Sequence, residues 1–390
     1  MTDLLIAVPI LLGLLTLPGS VVLAVWSMAA MLPARRTTPA PAEQGQLAIV
    51  VPAHNEEASI ARTVRGLRQV CKADGRTSLW VVADNCTDAT AVLAARAGAQ
   101  VMQRHDTALR GKGHALEFAF QQLSQQDISW FIVVDADSTV EPDFLVHMRQ
   151  AMQPERQALQ AVYLSRPTHT LRGRLARLAQ FGFNLVRPLG RSRLGMSVGL
   201  LGNGFALRAE TTLRVPYTAH SVAEDLEYHL HLAQAGIAVH HVAQAMVWGE
   251  IAESNTGAPQ QRARWEGGRF RMIREWTVPL LTRGMRGQTQ LFEPLTELLL
   301  LPLGLHAVLL GIALLGGHPL GWLTAGVGST AIALYLLAIA CRTPATRDEW
   351  ATLLLAPAYV LWKLTLLPLT LAKSRRHASW VRAERAAESR

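Results

Sequence analysis

From Leu4 to Ala34 the chain carries no charged residue, and this stretch restricts the available folds more than any other. About 20 consecutive apolar residues suffice to cross a bilayer, so the stretch is long enough for a tilted transmembrane helix over residues 1–36. A secretory signal is the competing reading. Against it, the start holds Asp3 and no Lys or Arg, and the apolar run exceeds the roughly 7 to 15 residues of a signal core. Arg35 and Arg36 follow at once, and the positive-inside bias then puts the next segment in the cytoplasm.

Apolarity returns at Leu298–Gly316 and Leu320–Cys341, joined by Gly317, His318 and Pro319. The short link predicts a transmembrane hairpin within residues 291–342. A fourth apolar stretch, Trp350–Ala372, has Lys363 near its middle and is broken by Pro357 and Pro368. A charge at mid-membrane costs about 2.5–3.5 kcal/mol on insertion scales, and a fourth crossing would export Lys373, Arg375 and Arg376. Residues 343–390 are therefore expected to form a re-entrant or interfacial segment followed by a basic cytoplasmic tail.

The net charge of +9 separates partner classes once it is located. Seven Arg face two acids from Gln260 to Gln290, and six basic residues face two acids from Lys373 to Arg390, so these two stretches hold the whole excess. A nucleic-acid-binding domain would carry its excess on the folded domain itself; here it flanks apolar segments, which points to anionic lipid headgroups and not to nucleic acid. Arg264–Leu281 interleaves arginines with Trp265, Phe270, Met272, Ile273 and Trp276. That pattern suits an amphipathic helix in the headgroup region, within residues 256–290, with packing on the soluble domain as the alternative. Cys71, Cys86 and Cys341 form neither a disulfide framework nor a metal spacing, as expected of a reducing compartment.

Residues 45–255 alternate short buried strands with helices, the pattern of an open α/β sheet. The strands are read at Leu47–Ala53, Leu79–Asn85, Ala99–Arg104 and Ser129–Asp137. Ligands of such sheets bind at the carboxyl ends of the strands, which selects Ala53–Glu57, Ala83–Asp88 and Asp135–Ser138. Asp135 and Asp137 can share a hard divalent cation, Mg²⁺ or Mn²⁺, if the chain turns there. Arg110–Gly113 is a basic, glycine-flanked turn before a helix: either a phosphate contact by Lys112 or a plain helix entry. Gly202-Asn203-Gly204 reads as a close ligand approach or a simple turn. Glu224 and Asp225 open a helix, where acids are routine caps; a catalytic base is the sharper reading. His229, His231, His240 and His241 lack metal-ligand spacing and are read as non-ligands.

Each motif is weak alone, but their order is not. Val51-Pro52-Ala53-His54-Asn55-Glu56, Ala83-Asp84-Asn85, Gly111-Lys112-Gly113, Asp135-Ala136-Asp137, Gly202-Asn203-Gly204, Glu224-Asp225 and Gln261-Arg262-Ala263-Arg264-Trp265 resemble family 2 glycosyltransferases. The resemblance is to the membrane-embedded branch of cellulose, hyaluronan and poly-N-acetylglucosamine synthases and ceramide glucosyltransferases. It implies a GT-A domain between N- and C-terminal transmembrane helices, a UDP-sugar donor, a divalent metal and inverting transfer. It further implies donor contacts at Ala53, Glu56, Asp84, Lys112 and Asp135, metal contacts at Asp135 and Asp137, and acceptor contacts at Gly202, Asn203, Gly204 and Trp265. Asp225 matches the general base beside Glu224, and Gln261, Arg264 and Trp265 match the motif that holds the diphosphate and lines the acceptor entrance. Two positions depart from the family pattern: Ala223 stands where Thr usually precedes Glu-Asp, and His54 where an aromatic residue is frequent.

These readings lead to a multi-pass inner-membrane enzyme that extends a β-linked polysaccharide or saccharide acceptor from UDP-glucose or UDP-N-acetylglucosamine, with room for an export or accessory subunit. Single-sugar transfer to a lipid is the alternative. A non-catalytic nucleotide-sugar-binding protein keeps the fold without the reaction, and a transporter is disfavoured because the spans hold few polar residues.

Overall fold

The computed structural model describes residues 2–33, 41–250 and 257–365. In chain order the elements are α1 (Thr2–Met31), β1 (Leu47–Ala53), α2 (Ile60–Asp74), β2 (Thr77–Asp84), α3 (Thr90–Ala97), β3 (Gln100–Arg104), α4 (Lys112–Leu123), β4 (Trp130–Val133) and β5 (Thr139–Val140). There follow α5 (Phe144–Ala151), β6 (Ala158–Ser165), α6 (Leu171–Phe181), a π-helical turn (Gly182–Val186), α7 (Arg187–Arg193), β7 (Phe205–Arg208), α8 (Ala209–Arg214), α9 (Glu224–Gln234) and β8 (Val239–Gly249). The remainder is helical: α10 (Gly257–Met285), α11 (Phe292–Leu299), α12 (Leu303–Leu315), α13 (Pro319–Arg342), α14 (Arg347–Ala351) and α15 (Ala356–Thr365). They fall into two compact units, a sheet unit of residues 36–168 and 197–276 and a helical unit of residues 1–35, 169–196 and 277–367.

The sheet unit holds eight strands in the order β3-β2-β1-β4-β7-β6-β8-β5. The strands β1 to β4 are mutually parallel, while β7 runs antiparallel between β4 and β6. Strand β1 is an almost unbroken apolar run because helices cover both of its faces. Leu47, Ile49 and Val51 pack with α2, α3 and α5, and the alternate residues Ala48 and Val50 pack with α4 and α9. Parallel register puts Ala53 beside Ala83 and Val50 beside Val133, so the ends of β1, β2 and β4 open on one edge.

Below the opposite end of the sheet, Asp74 and Arg149 form a nearly buried pair, each side chain 9% exposed. Arg149 also donates to the Glu43 and Gly45 carbonyls at 2.8 and 2.9 Å. Burial pulls the Asp74 pKa up, but hydrogen bonds from Arg149 and Thr77 and the Arg149 charge outweigh it and hold the carboxyl below its usual range. Arg149→Met is expected to destabilise the sheet unit by about 3–5 kcal/mol, since it strands a buried carboxylate. Because the folded pKa is depressed, this stabilisation is present above the unfolded value near about pH 4 and disappears as pH falls through the folded value. Thermal melts of both proteins at neutral and acid pH check this: the gap should close in acid.

In the helical unit, Ala7–Met31 and Pro319–Arg342 are long and apolar enough to cross a membrane. Where α1 meets α13, small residues allow close approach: a Cβ on Gly13 would lie 2.3 Å from Thr324 Oγ1. The expected span Leu298–Gly316 is not one straight helix. It breaks between α11 and α12, and the pair Thr289–Leu299 and Leu303–Leu315 is bent by 76°. Pro302 explains the break, since proline lacks a backbone donor and disfavours helix in the residue before it. Of the stretch Trp350–Ala372, the part beyond residue 365 lies outside the described residues.

Two findings depart from the sequence reading. Residues 169–196, expected within the catalytic domain, belong to the helical unit. Their arginines meet acids there: Arg177 pairs with Glu349, and Arg191 reaches Glu293 at 2.5 Å and Glu297 at 3.2 Å. The second concerns the basic segment around Trp276. Up to that residue α10 packs on the sheet unit, with Met272 fully buried and the Trp276 ring 5.5 Å from the His231 ring. The alternative of packing on the soluble domain therefore describes this part better than a headgroup helix. Only beyond it do Val278 and Met285 become exposed, at 65% and 75%.

Candidate active site

Three strand-end loops are cross-tied at the open edge. Asn55 and Asn85 both take left-handed backbone angles, φ 53° and 51°, a conformation Asn tolerates better than most side chains. Asn55 Oδ1 accepts from the Thr87 N–H at 2.8 Å, and Thr90 Oγ1 accepts from the Glu56 N–H at 2.7 Å. The Glu56 carboxylate accepts from the Ser59 hydroxyl at 2.8 Å, and the Ala53 carbonyl accepts from the Cys86 thiol at 3.5 Å. Asp84 is 4% exposed and is neutralised by Arg104 at 2.7 Å. His54 Nδ1 sits 2.7 Å from the Asp84 carbonyl oxygen. Ala53, Glu56 and Asp84 thus line one continuous rim.

At the end of β4 the chain turns, with the Ser138 N–H donating to the Asp135 carbonyl at 3.1 Å. This is the condition for Asp135 and Asp137 to address one cation. The turn is fixed from Gly202-Asn203-Gly204. The Asn203 amide oxygen accepts from the Asp135 N–H at 3.1 Å, and its amide nitrogen donates to Ser138 Oγ at 2.8 Å. Asn203 is fully buried and its carboxamide is spent on these bonds, so it positions the Asp135 loop and offers no surface to an acceptor. Buried Gln160 holds the same segment, donating to the Asn203 carbonyl at 2.8 Å and accepting from the Leu201 N–H at 2.9 Å.

Lys112 is the electrostatic centre. Its ammonium donates to Asp135 Oδ1 at 2.5 Å and to the Gly202 carbonyl, and lies 3.9 Å from Glu224 Oε1. Burial works against its charge, yet Asp135, Glu224 and Asp225 outweigh it and hold the Lys112 pKa above the usual lysine value. Asp225, in the first turn of α9, goes the other way. Burial raises its carboxyl pKa, with the Leu226 N–H and Lys112 opposing. A partly buried carboxyl with a raised pKa is suited to take a proton. Gly202, at φ +78°, permits the contact: a Cβ there would stand 2.9 Å from Asp225 Oδ2. The structure therefore brings Lys112, Asp135, Gly202, Glu224 and Asp225 into one cluster.

Gln261, Arg264 and Trp265 fall on α10, and their side chains lie outside the described residues. The helix that carries them is docked beside the cluster's flank: a Cβ on Gly268 would lie 2.7 Å from the Ala223 side chain, one residue before Glu224. That contact suggests why Ala is compatible with position 223, where the family usually has Thr.

Residues 44–268 match the sequence model described as glycosyltransferase like family 2. The chain belongs to glycosyltransferase family 2. Curated relatives include a β-monoglucosyldiacylglycerol synthase of Nostoc sp., 28% identical over 260 residues that make up 62% of this chain and 53% of that protein. The synthase of the same name from Synechocystis sp. is 29% identical over 276 residues, 66% of this chain and 55% of that protein. The chain thus spans about half the length of these relatives. Among solved structures, mannosyltransferase PcManGT from Pyrobaculum calidifontis, in complex with GDP-Man and Mn²⁺, superposes with a TM-score of 0.59 at 16% identity, covering 95% of this chain and 97% of that one. The fold of this glycosyltransferase is GT-A, as the motif order implied.

Sequence reasoning missed two residues that support the site, one at the rim and one buried beneath it. Arg104 was passed over although it ends the strand parallel to β2 and so had to neighbour Asp84. Gln160 left a signal too, as the lone amide in the apolar strand Ala158–Ser165.

Proposed function

We propose that this family 2 glycosyltransferase moves a single hexose from a UDP-sugar to a diacylglycerol-type lipid, with inversion at the anomeric carbon. The observation that carries the reading is the combination, in one chain, of membrane-length apolar helices with a catalytic sequence related to two named glucosyldiacylglycerol synthases. This reverses the order of the two sequence-based alternatives, in which polymer extension came first. We place the sheet unit on the cytoplasmic side of the inner membrane, where Arg35 and Arg36 put it by charge bias.

In this reading Asp225 accepts the proton of the acceptor hydroxyl as its oxygen attacks C1 from the face opposite UDP. Lys112 and Arg264 stabilise the negative charge that builds on the departing diphosphate. Asp84, fixed by Arg104, recognises the nucleotide base, with Ala53 and Glu56 beside it. Asp135 and Asp137 suit Mn²⁺ or Mg²⁺, because one turn supplies two hard carboxylates. Such an ion would neutralise diphosphate charge when bound. The family resemblance assigns Gln261 and Trp265 to the acceptor entrance, and Glu224 helps to keep Lys112 charged.

The test is product analysis. The purified chain is incubated with vesicles containing diacylglycerol and, in turn, radiolabelled UDP-glucose, UDP-galactose and UDP-N-acetylglucosamine. One label should enter a solvent-extractable lipid carrying one sugar, and only when diacylglycerol is present. Label in a water-soluble polymer, or transfer indifferent to diacylglycerol, would overturn the proposal.

A further inference from the structure

Three ligating side chains meet beside the active site without a role in it. His114 and Glu117 lie three positions apart on α4, which puts them on one helix face, and His220 reaches them from the segment before α9. His220 Nε2 is 2.8 Å from Glu117 Oε2 and His114 Nδ1 is 3.9 Å from the same oxygen. The two imidazoles stack with centroids 3.7 Å apart and planes inclined by 17°. One ligand atom from each residue lies within 4.8 Å of the other two. Ligands around a tetrahedral Zn²⁺ sit about 3.3 Å apart, given metal distances of about 2.0–2.1 Å, so closing the set requires the ligand atoms to draw together by at most about 1.5 Å and the two imidazoles to turn out of their stack.

The backbone prepares this arrangement. A Cβ on Gly113 would fall 1.9 Å from the Ala219 carbonyl oxygen, so glycine there lets α4 and the 219–220 segment touch main chain to main chain. The far side of that segment is held as well, with the Ser221 N–H donating to Glu227 Oε2 at 2.9 Å. His220 is therefore pinned opposite His114 and Glu117 before any ligand arrives, as a metal site requires. Side-chain exposures of 13% for His114, 26% for Glu117 and 33% for His220 leave the cluster open to solvent on one side. A simple Glu117–His220 ion pair accounts for the 2.8 Å contact but not for a second imidazole stacked on the first and turned to the same carboxylate.

We propose that His114, Glu117 and His220 bind a borderline divalent transition metal, Zn²⁺ or Co²⁺ in class, at three protein ligands with a fourth position open. Two nitrogens and one carboxylate set this site apart from the all-oxygen pair Asp135 and Asp137. The bound ion would tie the helix that begins at Lys112 to the segment that leads into Glu224 and Asp225. It neither depends on the proposed lipid acceptor nor competes with the Mg²⁺ or Mn²⁺ of the donor site.

The experiment is a Co²⁺ titration of the full chain, followed in the visible region, with Mg²⁺ in excess to occupy the oxygen site. One equivalent should give the intense bands of four-coordinate Co²⁺, and Zn²⁺ should abolish them. Outer-shell changes weaken metal sites by about 10–100-fold, so loss of a ligand in His220→Asn should weaken Co²⁺ binding by at least about 100-fold. Glu117→Gln, which keeps the side-chain shape, should weaken it likewise, and Asp137→Asn should leave it unchanged. Absent bands, Co²⁺ affinity in either ligand variant equal to that of the unmodified protein, or loss of the bands in Asp137→Asn would each refute the site.

Discussion

Asp225→Asn is expected to lower the rate of sugar transfer by about 10²–10⁴-fold, the range supplied by a positioned general base, while UDP binding stays within a fewfold of the unmodified protein. Asn keeps the size of the side chain and its contact with Gly202 but cannot take a proton at this pH. The split between the two readouts is diagnostic, because a variant that merely misfolded would lose nucleotide affinity as well. Calorimetric titration with UDP alongside initial rates gives both numbers. Unchanged turnover would remove Asp225 from the proposed mechanism and leave Glu224, its neighbour in the same helical turn, to be tested next.

Lys112→Met should cost about 10²–10³-fold in turnover, the magnitude associated with removing one preorganised charge partner of a developing anion. It should also move the pH profile in a direction that burial alone would not give. Burial raises the Asp225 pKa and Lys112 opposes that rise, so removing the ammonium lets the pKa climb further. Asp135 also pushes the Asp225 pKa upward, since a nearby like charge favours the protonated form. The base is active only when deprotonated. The acid limb of the rate profile should therefore shift to higher pH in Lys112→Met, and Lys112→Arg should restore much of the original limb. A profile that keeps its position while falling in height would mean that Lys112 serves the diphosphate without touching Asp225.

How much of this was legible in the sequence depends on the range of the interactions involved. Strand β1 and helix α4 follow from local pattern, since burial on two faces leaves an apolar run and burial on one leaves a helical stripe. The four strands were read correctly in kind, but Ser129–Asp137 shortened to Trp130–Val133 because Asp135 opens a turn that brings its carboxylate to Lys112. Asp225 was found by resemblance, whereas its raised pKa depends on packing that no motif displays. The resemblance implies an acceptor contact at Asn203, whereas the fold buries it as the strut beneath Asp135.

The helical unit was harder to read for the same reason. Local pattern gives no sign that residues 171–193 leave the domain read over 45–255, and only the distant acids Glu349, Glu293 and Glu297 reveal where Arg177 and Arg191 pack. Pro302 is a breaker within Leu298–Gly316, which the apolar pattern alone reads as one span. The His114–Glu117–His220 cluster had no sequence signature at all, since Glu117 and His220 are 103 positions apart. None of the four histidines that stand out in sequence belongs to the cluster, and His229 is buried against Gly199.

The central claim is that Asp225 and the Lys112 cluster flank a single displacement at the sugar's anomeric carbon. The most direct measurement is the anomeric configuration of the first glycolipid formed from a UDP-α-hexose, read from the proton coupling at C1. A β-linked product is the result this account predicts. An α-linked product would contradict it, because one base acting opposite the leaving diphosphate cannot retain configuration.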